Sequence, residues 1–268
     1  MYAIDFFYDK EKLSDYNMMI CSFDGKGTET VSSGADITFN QVKHTGVDYN
    51  NISSVTYEAY TTTFQICKRV CGVSSQEEFY LTPDELSAIQ RWLCRKDYFK
   101  FKIDQDDFLN IYWNATFSSK KIEINGRTVG LELTMSTDAP FAYLDELEID
   151  FDCTGGEVYH LYDYSDEIGF IYPDVEITFL EAGDFKLENS MDDEILKIDN
   201  VSYGEKIKLD GRNQIPILLD GEHPTLAKDF NYFFPKIINT YENNQNDFTP
   251  SLDCKLTFIY SPIRKVGL

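Results

Sequence analysis

The chain has 268 residues, of which 43% are apolar and 15% aromatic, enough for one large folded domain or two ordinary ones. Its net charge of −22 argues against a nucleic-acid-binding protein, which needs a basic surface. No apolar run approaches the roughly 18 residues of a membrane-spanning helix. Residues 1–5 have neither the basic nor the apolar segment of a signal peptide, so we expect a protein that is made in a cytoplasm and has no membrane partner.

The first part of the chain is predicted to be rich in strands. Residues 3–8 and 13–23 carry closely spaced apolar side chains and are predicted strands. Residues 24–34 are polar and glycine-rich, which predicts a loop or a mobile arm. The next predicted segments are two short strands, a long β-rich run and a loop, at residues 37–39, 42–49, 55–70 and 72–78.

One helix is predicted in this β-rich chain, and it begins after Thr82. Thr82 is a good N-cap, Pro83 suits the first helical position, and Glu85 completes a capping box with Thr82. One face of the helix is apolar at helical spacing, through Leu86, Ile89 and Leu93. Such a helix is expected to cover a face or an edge of a sheet.

Two hairpins are predicted after the helix. Alternating apolar and polar residues predict paired strands at residues 99–103 and 109–113. Asn125-Gly126 interrupts a second β-patterned run over residues 120–135, and this dipeptide between two strands strongly favours a tight hairpin turn.

A domain boundary is expected near residues 140–145, where Pro140 breaks the strand pattern. It divides the chain into residues 1–143, with a net charge of −6, and residues 144–268, with a net charge of −16. The second part has short strands at the spacing of a β-sandwich, at residues 147–151, 168–172, 175–180, 184–187, 195–198, 206–209, 214–218, 230–234 and 254–260. The predicted fold class is therefore all-β, with one short helix and two domains.

No catalytic, cofactor-binding or metal-binding motif is recognisable in the sequence. It contains no dinucleotide-binding or phosphate-binding glycine loop, no nucleophile elbow and no zinc-protease motif. The acidic segment 104–107 lacks the glycine and the distal glutamate of a calcium loop. Three histidines lie far apart and are expected on the surface or in loops, namely His44, His160 and His223. We therefore expect no enzymatic activity, no catalytic residues, no cofactor and no metal.

The six cysteines do not have the spacing of a zinc or redox site. Cys67 and Cys71 are four residues apart, and no second pair follows them. We expect free thiols, buried or half-buried, in a reducing compartment, at Cys21, Cys67, Cys71, Cys94, Cys153 and Cys254.

Three segments together carry a resemblance to a known family. They are the helix with its exit at residues 81–99, the hairpin and boundary at residues 125–142, and the C-terminal series at residues 229–239, which is followed by residues 261–266. In their order and spacing these segments resemble the distal tail protein (Dit) family of phages that infect Gram-positive bacteria. The resemblance extends over most of the chain, although none of the segments is diagnostic by itself.

The resemblance implies a structural protein of the tail tip rather than an enzyme. In that family an N-terminal β-sandwich-like domain forms a hexameric ring around the DNA channel, through which DNA passes without specific binding. A C-terminal galectin-like β-sandwich projects outward and anchors the host-adsorption apparatus. The implied partners are five further copies of the chain, the tail tube protein, a tail-associated hub or lysin protein and a receptor-binding protein. The implied location is the virion tail tip, after assembly in the host cytoplasm.

In this family a long loop lies on the neighbouring subunit, and residues 24–49 are the candidate here. The candidate subunit-contact residues in this region are Gly34, Asp36, Phe39, Val42, His44 and Tyr49. A plain surface loop is the alternative for the region. For the whole protein, two alternatives remain open: a carbohydrate-binding module that recognises host cell-wall glycan, and a wall-degrading enzyme attached to the tail. The acidic charge would also suit a channel wall along which DNA slides.

Overall fold

The computed structural model describes residues 3–23, 33–69 and 76–268. The chain divides into two compact units, Met1–Leu144 with Arg264–Leu268, and Asp145–Ile263. The last five residues therefore belong with the first unit, whereas the sequence placed them in the second domain. They are held there because Leu268 N donates to Tyr60 Oη at 2.9 Å, and because Val266 and Leu268 pack against the first core.

The first unit is built on an antiparallel sheet. Its strands and helix are β1 (Phe6–Tyr8), β2 (Glu11–Lys12), β3 (Met18–Cys21), β4 (Ile37–Val42), β5 (Asn51–Tyr57), β6 (Thr61–Lys68), α1 (Pro83–Leu93), β7 (Phe99–Ile103), β8 (Ile111–Ile124), β9 (Arg127–Thr137) and β10 (Ala142–Leu144). The sheet has the order β2-β1-β7-β8-β9-β6-β3, and β10 also pairs with β8. Short 3-10 turns occur at Leu13–Tyr16, Gln76–Phe79 and Asp106–Phe108.

The predicted helix and its capping box are confirmed. Glu85 N donates to Thr82 Oγ1 at 3.3 Å, and Thr82 N donates to Glu85 Oε2 at 2.8 Å. The apolar face of α1 is buried in the first core through Leu86, Ile89, Trp92 and Leu93. Trp92 stacks on Tyr16 with a centroid distance of 4.5 Å, so α1 also holds the N-terminal strands against the core.

Two predicted strand runs of the first unit are interrupted. The run predicted at residues 13–23 begins with the 3-10 turn, because the Asp15 and Asp5 carboxylates accept the backbone N–H groups of Lys12 and Ser14. The run predicted at residues 55–70 breaks after β5, where Tyr60 is buried and its N–H donates to Ala139 O at 3.3 Å. The loops predicted at residues 24–34 and 72–78 lie largely outside the described residues.

The Asn125-Gly126 hairpin is also confirmed. Ile124 pairs with Arg127 across the turn, and Asn125 and Gly126 have φ values of 51° and 76°. Both central residues of a type I′ turn need a positive φ, which this dipeptide tolerates. Strand β8 is longer than predicted. It joins the strand predicted at residues 109–113 and the strand predicted to begin at residue 120 into one continuous strand.

The second unit is a β-sandwich. Its elements are β11 (Leu147–Cys153), β12 (Tyr159–Tyr162), β13 (Gly169–Ile171), β14 (Asp174–Phe179), β15 (Gly183–Asn189), β16 (Leu196–Val201), β17 (Lys206–Asp210), β18 (Ile215–Asp220), α2 (Leu226–Asp229), β19 (Ile237–Asn239), β20 (Gln245–Pro250) and β21 (Cys254–Tyr260). One sheet has the order β11-β21-β14-β17-β18 and the other the order β12-β20-β15-β16, while β13 pairs with β19. In sequence, β22 (Ile263–Arg264) spans the boundary between the two units.

The core of the second unit follows from the alternation of its strands. Every second residue of β14, β15, β20 and β21 is buried, as expected for strands with one face on a core. Phe179 and Phe185 meet edge to face at 5.1 Å between ring centroids, and Phe248 and Phe258 lie 4.6 Å apart. The all-β class is thus confirmed.

The strand predicted at residues 230–234 does not form. The short helix α2 precedes it, and Tyr232 has a φ of 57°. The Asn231 side chain accepts from Lys197 N at 3.1 Å and donates to Ile195 O at 2.8 Å, so it occupies backbone groups at the start of β16 that a strand would use. Residue 230 forms an isolated bridge with Ile198.

Candidate functional site

The hairpin formed by β4 and β5 is the most exposed regular element of the first unit. The two strands pair with each other from Ile37↔Tyr57 to Val42↔Asn51, and within the described residues no other strand pairs with either of them. All residues of both strands are exposed. A two-stranded hairpin alone is marginally stable in water, so an element of this kind is suited to a partner surface.

The hairpin has one apolar and one polar face. Residues that are opposite in register share a face, and successive residues alternate between faces. The apolar face carries Ile37, Phe39, Ile52, Val55 and Tyr57, with exposed fractions between 40% and 57%. The polar face carries Thr38, Asn40, Asn51, Ser54 and Thr56 together with Val42 at its end, and Gln41 lies on the apolar face. Five large apolar side chains on one exposed face exceed the scattered apolar residues of an ordinary surface.

Polar contacts fix the register of the hairpin. Asn40 Nδ2 donates to Ser54 Oγ at 2.9 Å, and Ser53 Oγ donates to Asn40 O at 3.0 Å at the β-bulge. The bulge keeps Ile52 on the same face as Phe39, because Ile52 pairs with Gln41 beyond the extra residue.

The six candidate contact residues lie in or next to this hairpin. Gly34 and Asp36 precede β4, and Asp36 O accepts from Glu58 N at 3.1 Å. Phe39 is on the apolar face, and Val42 ends β4. His44 and Tyr49 lie in the exposed connection between the strands, where Tyr49 is 63% exposed.

Sequence reasoning missed four residues of the apolar face. They are Ile37, Ile52, Val55 and Tyr57. Their alternation with polar residues was a usable signal, but the segment from residue 55 was taken as the start of a longer strand.

His44 and His160 are exposed, and His223 lies in the loop between β18 and α2, so each histidine is on the surface or in a loop as expected. His223, however, is buried. The His223 side chain is 3% exposed and lies between two carboxylates. Its Nδ1 is 2.6 Å from Glu205 Oε1, and its Nε2 is 3.1 Å from Asp229 Oδ2. Both nitrogens then donate, which is the pattern of a protonated imidazole.

The pKa of His223 is raised as a result. Burial alone would lower its pKa, but the hydrogen bonds and charges of Glu205 and Asp229 outweigh the burial. Thr225 Oγ1 donates to Asp229 at 2.6 Å, and this bond together with the bond from His223 lowers the pKa of Asp229. The cluster ties α2 to the turn before β17, which is a structural role.

The outer face of the second unit carries a cluster of exposed polar and aromatic side chains. His160 pairs with Asp247 in register, and Tyr162 pairs with Gln245. His160 Nδ1 and Gln245 Nε2 both lie 2.7 Å from Asp247 Oδ1. Tyr162 is 46% exposed on the same face. The sequence indicated no such combination, because β12 and β20 are far apart in the chain.

Other classes of site are not indicated in the described part of the chain. Among residues 3–23, 33–69 and 76–268, no group of three His, Cys, Asp or Glu side chains is placed to hold a metal ion. Within these same ranges, no helix is both long and apolar enough to cross a membrane.

Comparison with protein families identifies the class of the protein. The chain matches a family model described as a phage tail protein N-terminal domain over residues 1–139, and a second described as a phage tail C-terminal domain over residues 141–260. The first match alone covers more than half of the sequence. The chain therefore belongs to this family of phage tail proteins.

Solved structures show the particular fold. The chain is similar to the Dit protein of phage SPP1, with a TM-score of 0.69 and 12% identity over 96% of this chain and 98% of that one. That protein is described as a paradigm of the hub adsorption apparatus in phages that infect Gram-positive bacteria. Two structures of the phage p2 baseplate in its activated conformation, with Ca and with Sr, match at TM-scores of 0.49 and 0.43 with 11% and 12% identity. Their matches cover 97% and 85% of this chain, and 98% and 87% of theirs. No curated protein matches the sequence. The sequence-based assignment is thus confirmed for a phage tail protein with the Dit fold.

Proposed function

We propose that this protein is a distal tail hub, a structural component that joins the tail tube to the host-adsorption apparatus. The observation that carries the proposal is the exposed amphipathic hairpin of β4 and β5, in a chain with the fold of a hub protein. Six copies would form a ring around the DNA channel through the first unit. The second unit would face outward and carry the adsorption proteins.

The occupant that suits the apolar face of the hairpin is a second copy of the chain. A hub at the end of a tail surrounds the tail axis, so identical copies must meet side by side. Strands of six and seven residues extend about 20 Å, which is enough to reach onto a neighbouring subunit. A contact of this kind is heterologous, and it closes into a ring when the rotation between copies completes a circle.

The other partners follow from the position of a hub. The tail tube protein would bind one side of the ring, and a tail-associated hub or lysin protein the other. A receptor-binding protein would attach to the second unit. The protein itself would act by shape and assembly rather than by catalysis, and it would assemble in the host cytoplasm and remain at the virion tail tip.

The stoichiometry of the assembled protein tests this function. We would measure the mass of the full-length protein by sedimentation velocity across a wide concentration range, with and without purified tail tube protein, and image it by negative-stain microscopy. Rings of six copies are expected, at least in the presence of the tube. A strict monomer under all of these conditions would contradict the proposal.

A second candidate function is binding of host cell-wall glycan by the cluster of His160, Tyr162, Gln245 and Asp247. An exposed tyrosine ring can stack on the apolar face of a sugar ring, while carboxylate and amide groups bind its hydroxyls. These groups lie together on one open sheet face, which favours this alternative for the second unit.

Binding of the full-length protein to purified cell-wall glycan distinguishes this candidate. Tyr162→Ala should weaken such binding at least about tenfold, whereas Tyr203→Ala, at a tyrosine that is 75% exposed elsewhere on the unit, should not. Equal binding by both variants, or none by the parent protein, would rule out this face as the glycan site.

A further inference from the structure

Two cysteines of the second unit lie directly opposite each other on neighbouring strands. Cys153 is the last residue of β11, and Cys254 is the first residue of β21. They form a register pair, and their side chains are 4% and 0% exposed. Cys153 Sγ donates to Phe151 O at 3.8 Å. These strands are the first and the last of the sandwich, so the pair brings together residues from opposite ends of the unit.

The backbone geometry of this pair is compatible with a disulfide. Residues directly opposite in an antiparallel pair have Cα atoms about 4.5 or about 5.5 Å apart, depending on the hydrogen-bonding pattern. Both values fall in the range of about 4.4 to 6.8 Å that disulfides span. The cross-link therefore needs no rearrangement of β11 or β21.

We propose that Cys153 and Cys254 form a disulfide when the protein leaves the reducing cytoplasm. The oxidant would be a small-molecule disulfide. The Cys153 thiolate attacks it, a mixed disulfide forms and one small thiolate leaves. Cys254 then gives up its proton, and its sulfur attacks Cys153 Sγ and releases the second small thiol. Two protein thiols are oxidised, and one small disulfide is reduced to two thiols.

The environment of the pair assigns the roles of the two sulfurs. Interaction with the Cys254 side chain lowers the pKa of Cys153, while interaction with Cys153 and burial raise the pKa of Cys254. Cys153 is thus the sulfur that ionises more readily, and it lies at the end of a strand beside the turn at residues 154–156. Because the two residues are 4% and 0% exposed, a small oxidant would reach them when this end of the sheet opens locally.

The cross-link would stabilise the second unit through its unfolded state. It would join residues 153 and 254 and so close a loop that contains almost the whole unit. Long loops gain the most from such a link, because the unfolded chain loses more conformational freedom. We expect the melting transition of the second unit to rise by at least about 10 °C on oxidation.

The other described thiol pair provides an internal comparison. Cys21 and Cys67 lie on neighbouring strands, but in register Cys21 lies opposite Gln65, and Cys67 lies opposite Met19. They are diagonal neighbours, and such residues are farther apart than direct partners. The mapping of linked peptides must therefore distinguish a Cys153–Cys254 link from a Cys21–Cys67 link.

Peptide mapping and melting after oxidation test the proposal. We would treat the full-length protein with oxidised glutathione, block free thiols by alkylation, digest the protein and identify linked peptides by mass spectrometry. The expected result is a peptide pair joined through Cys153 and Cys254, with a rise in melting temperature that a reductant reverses. Recovery of Cys153 and Cys254 only as separately alkylated or separately glutathionylated residues would overturn the proposal.

Single variants complete the test. Cys153→Ser and Cys254→Ser should each abolish the rise in melting temperature on oxidation. Cys94→Ser, at an exposed cysteine, should retain this rise and its reversal by a reductant. If Cys254→Ser fails to fold, Cys153→Ser and the comparison of oxidised with reduced parent protein still decide the matter. If oxidation still raised the melting temperature of Cys153→Ser in a way that a reductant reverses, this pairing would be contradicted.

Discussion

Phe39 lies directly opposite Val55 in the β4–β5 hairpin, and their side chains are 51% and 40% exposed. An apolar cross-strand pair of this kind usually faces a core. Here the pair is at the centre of an apolar face that the rest of the first unit leaves exposed. The hairpin is therefore the element that we propose as the contact between copies of this phage tail protein.

The buried face of α1 is the first point to test. Ile89 is 1% exposed, so Ile89→Asp would place a carboxylate in the core of the first unit. We expect a loss of about 3 to 5 kcal/mol in the free energy of unfolding, together with a loss of assembly. Chemical denaturation measures this loss.

Ser87→Asp is the matched control for that variant. Ser87 is exposed on the same helix, so the same new charge should change the free energy of unfolding by less than about 0.5 kcal/mol. If Ile89→Asp were as stable as the parent protein, the apolar face of α1 would not be packed onto the sheet as described.

The turn between β8 and β9 gives a prediction about backbone conformation alone. Gly126 has a φ of +76°, and a Cβ added there would meet no atom within 4 Å. Gly126→Ala should therefore cost about 1 kcal/mol through strain, without any steric clash. Gly34 in the same unit also faces open space and does not have a left-handed φ, so Gly34→Ala should not lower the free energy of unfolding. Equal stability of the two variants would contradict the turn geometry.

His223 predicts how stability depends on pH. Its pKa in the folded protein is raised above the ordinary value of 6.5, so its contribution to stability is fully present below about pH 6.5. That contribution is lost as the pH rises through the folded pKa. The pKa of Asp229 is lowered from 3.8, so its contribution is present above about pH 4 and is lost as the pH falls through the folded value.

Urea denaturation at pH 6 and pH 8.5 measures the effect of His223. The parent protein should be less stable at the higher pH, and His223→Gln should show a smaller difference between the two pH values. An unchanged difference in His223→Gln would show that this imidazole is not the titrating group.

Local features of this fold were predictable, and long-range ones were not. The capping box at Thr82 and the Asn125-Gly126 turn depend on residues within a few positions of each other, and both formed as predicted. The burial of His223 depends on Glu205, which is 18 residues away in the sequence. The pairing of Cys153 with Cys254 joins the two ends of a unit, and no local pattern indicates it.

The hairpin is an intermediate case. The resemblance made Phe39 and five other residues of the region candidates for the subunit contact, but the second strand was merged with the run that follows. Its two faces became visible only through the register between β4 and β5, because the bulge at Ser53 shifts the alternation. Whether the six residues proposed from the sequence contact a neighbouring subunit remains a prediction.

The most direct test of the hairpin contact compares Phe39→Asp with Thr38→Asp in the full-length protein. The two residues are adjacent and exposed, they lie on opposite faces, and each variant adds one negative charge. We predict equal melting temperatures for the two monomers. Sedimentation velocity should show that Phe39→Asp raises the concentration needed for ring assembly at least about tenfold, whereas Thr38→Asp assembles like the parent. Ring assembly by Phe39→Asp at the concentration of the parent protein would contradict the hairpin contact.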